Sequence, residues 1–394
     1  MAPSAAACAF LAFASPWTVL GQVFNVPVTP FEGPSTARFQ SGLGHLDGQR
    51  VTPYPNSTSF DWWYFDVASE SHANESAIVT FFQSTPGAFL PVAGDSYLTA
   101  SLDGTFRNGT AYSYRIPVGQ GSSVKVVDGI DSISGHWGDT GFSFKGKSVR
   151  RTAEYTVEVN NPAQGIRGTI TYQSFGKFVR QAQVGARSNL QRHILTYVLL
   201  QRAPAHNSCG TQLSHTSELI VPHIGWFNAI PDAKANVRLN MQGEDISFQG
   251  VGYHDKNWGD RPFRQQVKSW YWGHSSVGPY SVVWFDALAK DSKEYVSGYV
   301  TKNGKVLQAS CKRGAVKARP YGNGNTYPPV PSREFPYGFL LDFDLGHGEK
   351  LQVNVSVSAT VVGLQNYFRF TGKSTATVQG KRIQGRAIGE HFVF

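Results

Sequence analysis

The chain has 394 residues, 36 Lys and Arg against 27 Asp and Glu, a formal net charge of +9, and only three Cys beside 41 Gly. That length is enough for two domains with separate cores, and so few cysteines exclude a disulfide-dependent miniprotein. The positive charge does not indicate a nucleic-acid partner, because no helix or motif suited to a groove is recognisable.

Residues 1–21 carry no charged side chain and hold an apolar run at 5–14, followed by Val19, Leu20 and Gly21, whose small end suits a signal-peptidase cut. This segment is expected to be a secretory signal peptide. It is too short and too broken by Pro16 to span a bilayer, and no later segment approaches the ~20 apolar residues of a spanning helix. Sequons at Asn56, Asn74, Asn108 and Asn354 agree with entry into the secretory lumen, whether the protein is then secreted or kept in a lumenal or vesicular compartment. Asn354 lies in a strictly alternating stretch, 351–361, which places it on the solvent face of a strand.

Residues 22–58 contain Pro27, Pro30, Pro34, Pro53 and Pro55 and predict an extended N-terminal arm over the first sheet. From 59 onward, short alternating runs separated by Gly, Asn, Asp and Pro predict strands. Residues 151–159, for example, put Ala153, Tyr155, Val157 and Val159 on one face and Thr152, Glu154, Thr156 and Glu158 on the other. No stretch beyond about ten residues after the signal shows a helical period, so the fold class is all-β. Residues 59–214 are expected to form an N-terminal β domain and 215–394 a C-terminal one. Between Lys145 and Arg192, nine basic residues face only Glu154 and Glu158. That is a solvated face or a field for an anionic ligand. Cys209 and Cys311 remain after the signal leaves, and either form one disulfide or stay as two thiols. Residues 319–336 hold five prolines with Gly322 and Gly324 and predict a loop of the kind that rims pockets.

Two segments concentrate polar and aromatic chemistry. In Asp61-Trp62-Trp63-Tyr64-Phe65-Asp66, strand alternation puts Trp62, Tyr64 and Asp66 on one face and Asp61, Trp63 and Phe65 on the other, as in a strand packed on both sides or a pocket wall. Residues 250–259 hold Tyr253, His254, Asp255, Lys256, Asn257 and Trp258. There His254 and Asp255 can form a proton-transfer pair, and Lys256 and Asn257 can donate to a ligand carbonyl or enolate, or His254 sits in a hydrogen-bonded turn. Residues 269–286 follow with Trp270, Trp272, Trp284 and Asp286, and Ser269-Trp270-Tyr271 faintly echoes the 60–66 segment as in two similar barrels. No nucleophile elbow, zinc motif, phosphate loop or dinucleotide fingerprint is present, and the histidines have no metal-ligand spacing, so neither cofactor nor metal is expected.

Residues 59–66 and 250–259, with 222–231 and 269–286, resemble the lipocalin-like superfamily of carotenoid hydratases and fungal Diels–Alderases of the decalin or cytochalasan type. The resemblance implies two lipocalin-like β-barrel or β-sandwich domains packed together with a ligand pocket near their interface. It also implies a cofactor-independent [4+2] cyclisation of a linear polyene polyketide or polyketide–amino acid hybrid. Such a reaction needs a folded substrate and one donor on a conjugated carbonyl. On this reading His254 and Asn257 orient or polarise the hydrophobic polyene, and Asp61, Trp63, Tyr64, Gln83, Trp226, Lys256, Trp258 and Trp272 shape its pocket. The hydratase branch uses an Asp to protonate a polyene and favours His where this chain has Lys256. A proton-transferring hydratase or isomerase, using Asp286 or the His254–Asp255 pair, is the second reading, and a carrier without turnover the third.

Overall fold

The computed structural model describes residues 21–394 apart from 41, 43–44, 90–95, 150–151, 184–192, 202 and 324–325; the expected signal peptide lies outside the described residues. Two large antiparallel sheets, both curled, make up most of the fold, beside two-stranded pairs at Phe175–Gln183 with His193–Gln201 and at Thr36–Ala37 with Val51–Thr52. The first runs in the order Gln22–Pro27, Ser123–Gly129, Ser132–Trp137, Phe142–Lys147, Glu154–Asn161, Ile166–Gln173, Ile224–Met241, Glu244–Gly259, Phe60–Ser69, Ser76–Ser84, Leu98–Thr105 and Ala111–Pro117. The second is Lys305–Ser310, Glu294–Lys302, Tyr280–Ala289, Val267–Val277, Lys381–Val393, Tyr367–Val378, Glu349–Leu364, Gly338–Gly346 and Val316–Tyr321. Among the described residues the one α-helix is the single turn Phe263–Gln266.

Alternation of side chains along each strand gives each sheet two buried faces, and so three cores form. Trp63, Phe65, Phe81, Trp137, Phe144 and Tyr155 fill the first sheet's hollow. Tyr271, Trp284, Phe339, Phe343 and Phe370 fill the second's. Between the sheets, Phe60, Trp62, Tyr64 and Phe82 of the first meet Trp270, Trp272, Phe285 and Phe392 of the second.

Two expectations are corrected. The sheets part at 260–266 rather than at 214, because Ile224–Met241 and Glu244–Gly259 pair with each other and with Phe60–Ser69 and Ile166–Gln173. Their Gly and charged residues made these long strands read as several short elements. The N-terminal arm does more than lie over the sheet: Gln22–Pro27 pairs with Ser123–Gly129 at its edge, and residues 46–51 enter its hollow, where Asp47, Gln49 and Arg50 are fully buried.

Cys209 and Cys311 form a disulfide that closes a separation of 102 residues and ties the segment before Ile224–Met241 to the second sheet. Replacing both with Ser is expected to lower unfolding stability by about 5 kcal/mol, as loop-closure entropy for a loop of this length predicts. Urea unfolding with and without reductant checks this, the reduced wild type matching the double variant.

Candidate functional site

Between the sheets lies a narrow, mostly aromatic-lined cavity. Strand register explains its walls. In the first sheet Asp255 pairs with Tyr64 and Tyr64 with Thr80, while Asn257 pairs with Trp62 and Trp62 with Phe82. In the second, Phe285 pairs with Trp272, Trp272 with Glu390 and Glu390 with Arg369. One step along, Trp270 pairs with Phe392 and Phe392 with Tyr367. All of these side chains face the cavity, with Phe89, Asp103 and Arg115 completing it. The 60–69 and 267–277 strands, alike in sequence, therefore stand opposite each other across it.

One end is aromatic: Phe89 lies 4.3 Å from Trp62, and Trp270 meets Phe285 edge-on at 4.7 Å. The other end carries paired charges. Arg369 donates to Glu390 at 2.8 Å and lies 5.0 Å from the Tyr64 ring, and the Tyr367 hydroxyl donates to the same Glu390 oxygen at 3.0 Å. Asp103 accepts from Ser113 at 2.6 Å and from Arg115 at 3.4 Å. Tyr64 is fixed from behind: its hydroxyl donates to Asp66 at 2.8 Å, and Asp66 in turn meets His274 of the opposite sheet at 2.9 Å. That contact pins one sheet to the other beside the cavity.

Asp255 is the group equipped for proton chemistry. Burial pushes its carboxyl up to about 7, against the opposing pull of bonds from Trp226 and Tyr253. Both donors reach Oδ2, each at 2.7 Å. At neutral pH the carboxyl is thus about half protonated, and the anion left after proton transfer is met by two fixed donors. Nine aromatic rings around the cavity exclude water and present π faces to a developing cation.

Comparison with known proteins agrees with this architecture. Residues 43–325 match the Diels-Alderase-like family. The chain belongs to that family. Its curated relatives include the quinolone epoxide rearrangement protein penF of Penicillium thymicola, 32% identical over 95% of this chain and 96% of the relative. The quinolone epoxide rearrangement protein asqO of Emericella nidulans is 31% identical over 93% and 92%. The crystal structure of CghA superposes with a TM-score of 0.68 at 16% identity, covering 94% of this chain and 98% of CghA, and so shares the lipocalin-like fold. Membership of this family, with curated relatives named as rearrangement proteins and as a Diels-Alderase, gives the protein a cyclase-type catalytic role.

Within this Diels-Alderase-like fold, the residues expected at the site divide by strand face. Tyr64, Asn257 and Trp272 line the cavity. Trp226 stands behind it, bonded to Asp255. His254, Lys256, Trp258, Asp61, Trp63 and Gln83 face the first sheet's hollow instead. Lys256 is 2.8 Å from Asp61 and its ammonium lies 3.8 Å over the Trp63 ring, Gln83 bonds to Gln49, and Trp258 donates to the Arg38 carbonyl. The physical reason is the period of two: alternate residues of 253–258 and of 61–66 cannot share one cavity. Asp286 lies on the second sheet's inner face, bonded to Arg319 at 2.6 Å, with burial pushing its carboxyl up. Arg369, Glu390, Tyr367 and Phe392 had no distinguishing motif, and only the alternation of 367–370 and 388–393 carried a signal for them.

Proposed function

We propose that the protein isomerises an epoxide on an apolar secondary metabolite, with Asp255 as the proton donor. The observation that carries this reading is a cavity-facing carboxyl held near neutrality by burial while two donors wait on its conjugate base. Proton transfer from Asp255 to the epoxide oxygen lets the C–O bond break at the carbon that best bears positive charge. Trp62 and Trp270 stabilise that cation through their ring faces. A neighbouring group migrates or an internal nucleophile closes on it, and the proton released returns to Asp255. The product is an isomer of the substrate. That both penF and asqO are quinolone epoxide rearrangement proteins supports the reading.

The second reading is the [4+2] closure expected from the sequence. The family description favours it, as does Asn257, whose Nδ2 spends one hydrogen on the Gly225 carbonyl at 3.3 Å and keeps the other for a dienophile carbonyl. Deleting the gene in its source organism separates these. Accumulation of an unrearranged epoxide of unchanged mass supports the first reading, an uncyclised polyene without an epoxide the second, and a product differing by one water a hydratase.

Trp272→Ala should broaden the product distribution more than it lowers total turnover, because Trp272 packs edge-on against Tyr64 at 5.2 Å and Tyr253 at 5.3 Å and shapes the cavity without entering the proton transfer. Chiral chromatography of products checks this, and an unchanged ratio from folded variant counts against it.

Passage through the secretory pathway is also proposed, supported by the Cys209–Cys311 bridge and by exposed sequon residues Asn108 and Asn354. Glycosidase treatment followed by mass measurement should show carbohydrate on both. Asn56 should stay bare, since its side chain accepts from Ser59 and donates to the Gly33 carbonyl.

A further inference from the structure

We infer that Asp47, carried on the N-terminal arm, is a positioning residue for Asp255: by holding His254 as an imidazolium directly behind it, the arm sets the pH range over which Asp255 gives up its proton. The inference rests on the acid role proposed above for Asp255.

Along Glu244–Gly259 the two residues flanking Asp255 point away from the cavity into the first sheet's hollow, and the arm grips both. His254 Nε2 lies 2.8 Å from Asp47 Oδ2 and Nδ1 lies 2.9 Å from the Tyr64 carbonyl oxygen. A carbonyl oxygen only accepts, so Nδ1 carries hydrogen; with Asp47 as the carboxylate, Nε2 donates to it and the ring is the imidazolium of the inference. It stacks on Phe65 at 3.8 Å, and Asp47 Oδ2 takes a second bond from the Tyr155 hydroxyl at 2.9 Å. On the other side of Asp255, Lys256 donates to the Gly48 carbonyl at 2.7 Å. Adjacent residues of the arm therefore hold adjacent turns of the pleat, and the peptide bearing the acid cannot shift without breaking them.

Asp255 is bonded to Tyr253 of its own strand and shares the cavity with Tyr64 on Phe60–Ser69, with Asp103 and Arg115 on Leu98–Thr105 and Ala111–Pro117, and with Tyr367, Arg369 and Glu390 on Tyr367–Val378 and Lys381–Val393. Of these neighbours Glu390 opposes ionisation of Asp255, and His254 from behind favours it. Asp47 supplies the counter-charge that compensates a fully buried imidazolium. Take Asp47 away and the positive field at Asp255 goes with it.

The test reads Asp255 itself: carboxylate carbon NMR titration of wild type and Asp47→Asn, assigned with Asp255→Asn. The midpoint should rise by a fraction of a pH unit in Asp47→Asn, because the imidazolium lost from the residue next to Asp255 outweighs the Asp47 anion lost with it. An unchanged midpoint in folded Asp47→Asn overturns the inference and leaves Asp47 a purely structural residue. If that variant does not fold, nitrogen NMR of histidine in the wild type decides: two protonated ring nitrogens for His254 at pH 7 support the inference, and one unprotonated nitrogen overturns it. Because no turnover is measured, the result stands apart from the acid role. Full activity in Asp255→Asn would remove that role and leave the titration result in place.

Discussion

Asp255→Asn should lower turnover by about 10²–10⁴-fold, the usual worth of a positioned general acid, while the protein stays folded. Asn keeps a carbonyl oxygen for the Trp226 and Tyr253 donors, so the cavity wall survives and only the proton is lost. In the wild type the acid form is the active one, so activity should fall about tenfold per unit as pH rises above 7, where Asp255 ionises. Stability moves the same way. The folded state holds this proton more tightly than the unfolded chain, whose carboxyl titrates at the ordinary value of 3.8, so its contribution is complete below about pH 4 and is lost as pH rises to about 7. The difference amounts to about 4 kcal/mol. The Asn variant never ionises and should unfold at a higher temperature than wild type at pH 8, with the gain vanishing near pH 4. Calorimetry at both pH values with a steady-state pH profile checks the pair of effects. An inactive variant with no stability gain at pH 8 would mean that Asp255 is not held near neutrality.

The all-β class, the two faces of 60–69 and the buried face of 151–159 were legible because each rests on a period of two that any single strand displays. Which faces meet was not. The Asp61–Asp66 motif has aromatic rings on both sides, and nothing within it tells the hollow of its own sheet from the seam with the next. The same holds for His254 and Asp255, where the more familiar catalytic residue turned inward and the carboxylate beside it turned to the cavity. The division between sheets was illegible for a related reason. Ile224–Met241 and Glu244–Gly259 are long, mixed in polarity and interrupted by bulges near Asn228 and Ile230. They change surroundings along their length, so no one alternation runs through them. Residues 46–51 read only as part of an arm over the sheet because the partners that draw them into its hollow include Glu218 and His254, far away in the chain.

The inward-facing charges carry the second large effect. Asp61→Ala should destabilise the fold by about 3–5 kcal/mol, the range seen when one partner of a buried pair is removed. Lys256 is fully buried at 2.8 Å from Asp61, and burial pushes the Asp61 carboxyl up and the Lys256 ammonium down while their attraction opposes both. Asp61 also accepts from the Arg50 backbone N–H at 2.7 Å, so its loss strips an anion from Lys256 and a partner from the arm together. Adding Lys256→Met to Asp61→Ala should recover most of the loss, since an unbranched apolar chain fills the space over Trp63 without a charge to solvate. Urea unfolding of the two single variants and the double completes the cycle. Recovery in the double would place the cost in the stranded ammonium. A double variant as unstable as Asp61→Ala would place it in the arm, whose backbone has lost its anchor to the first sheet.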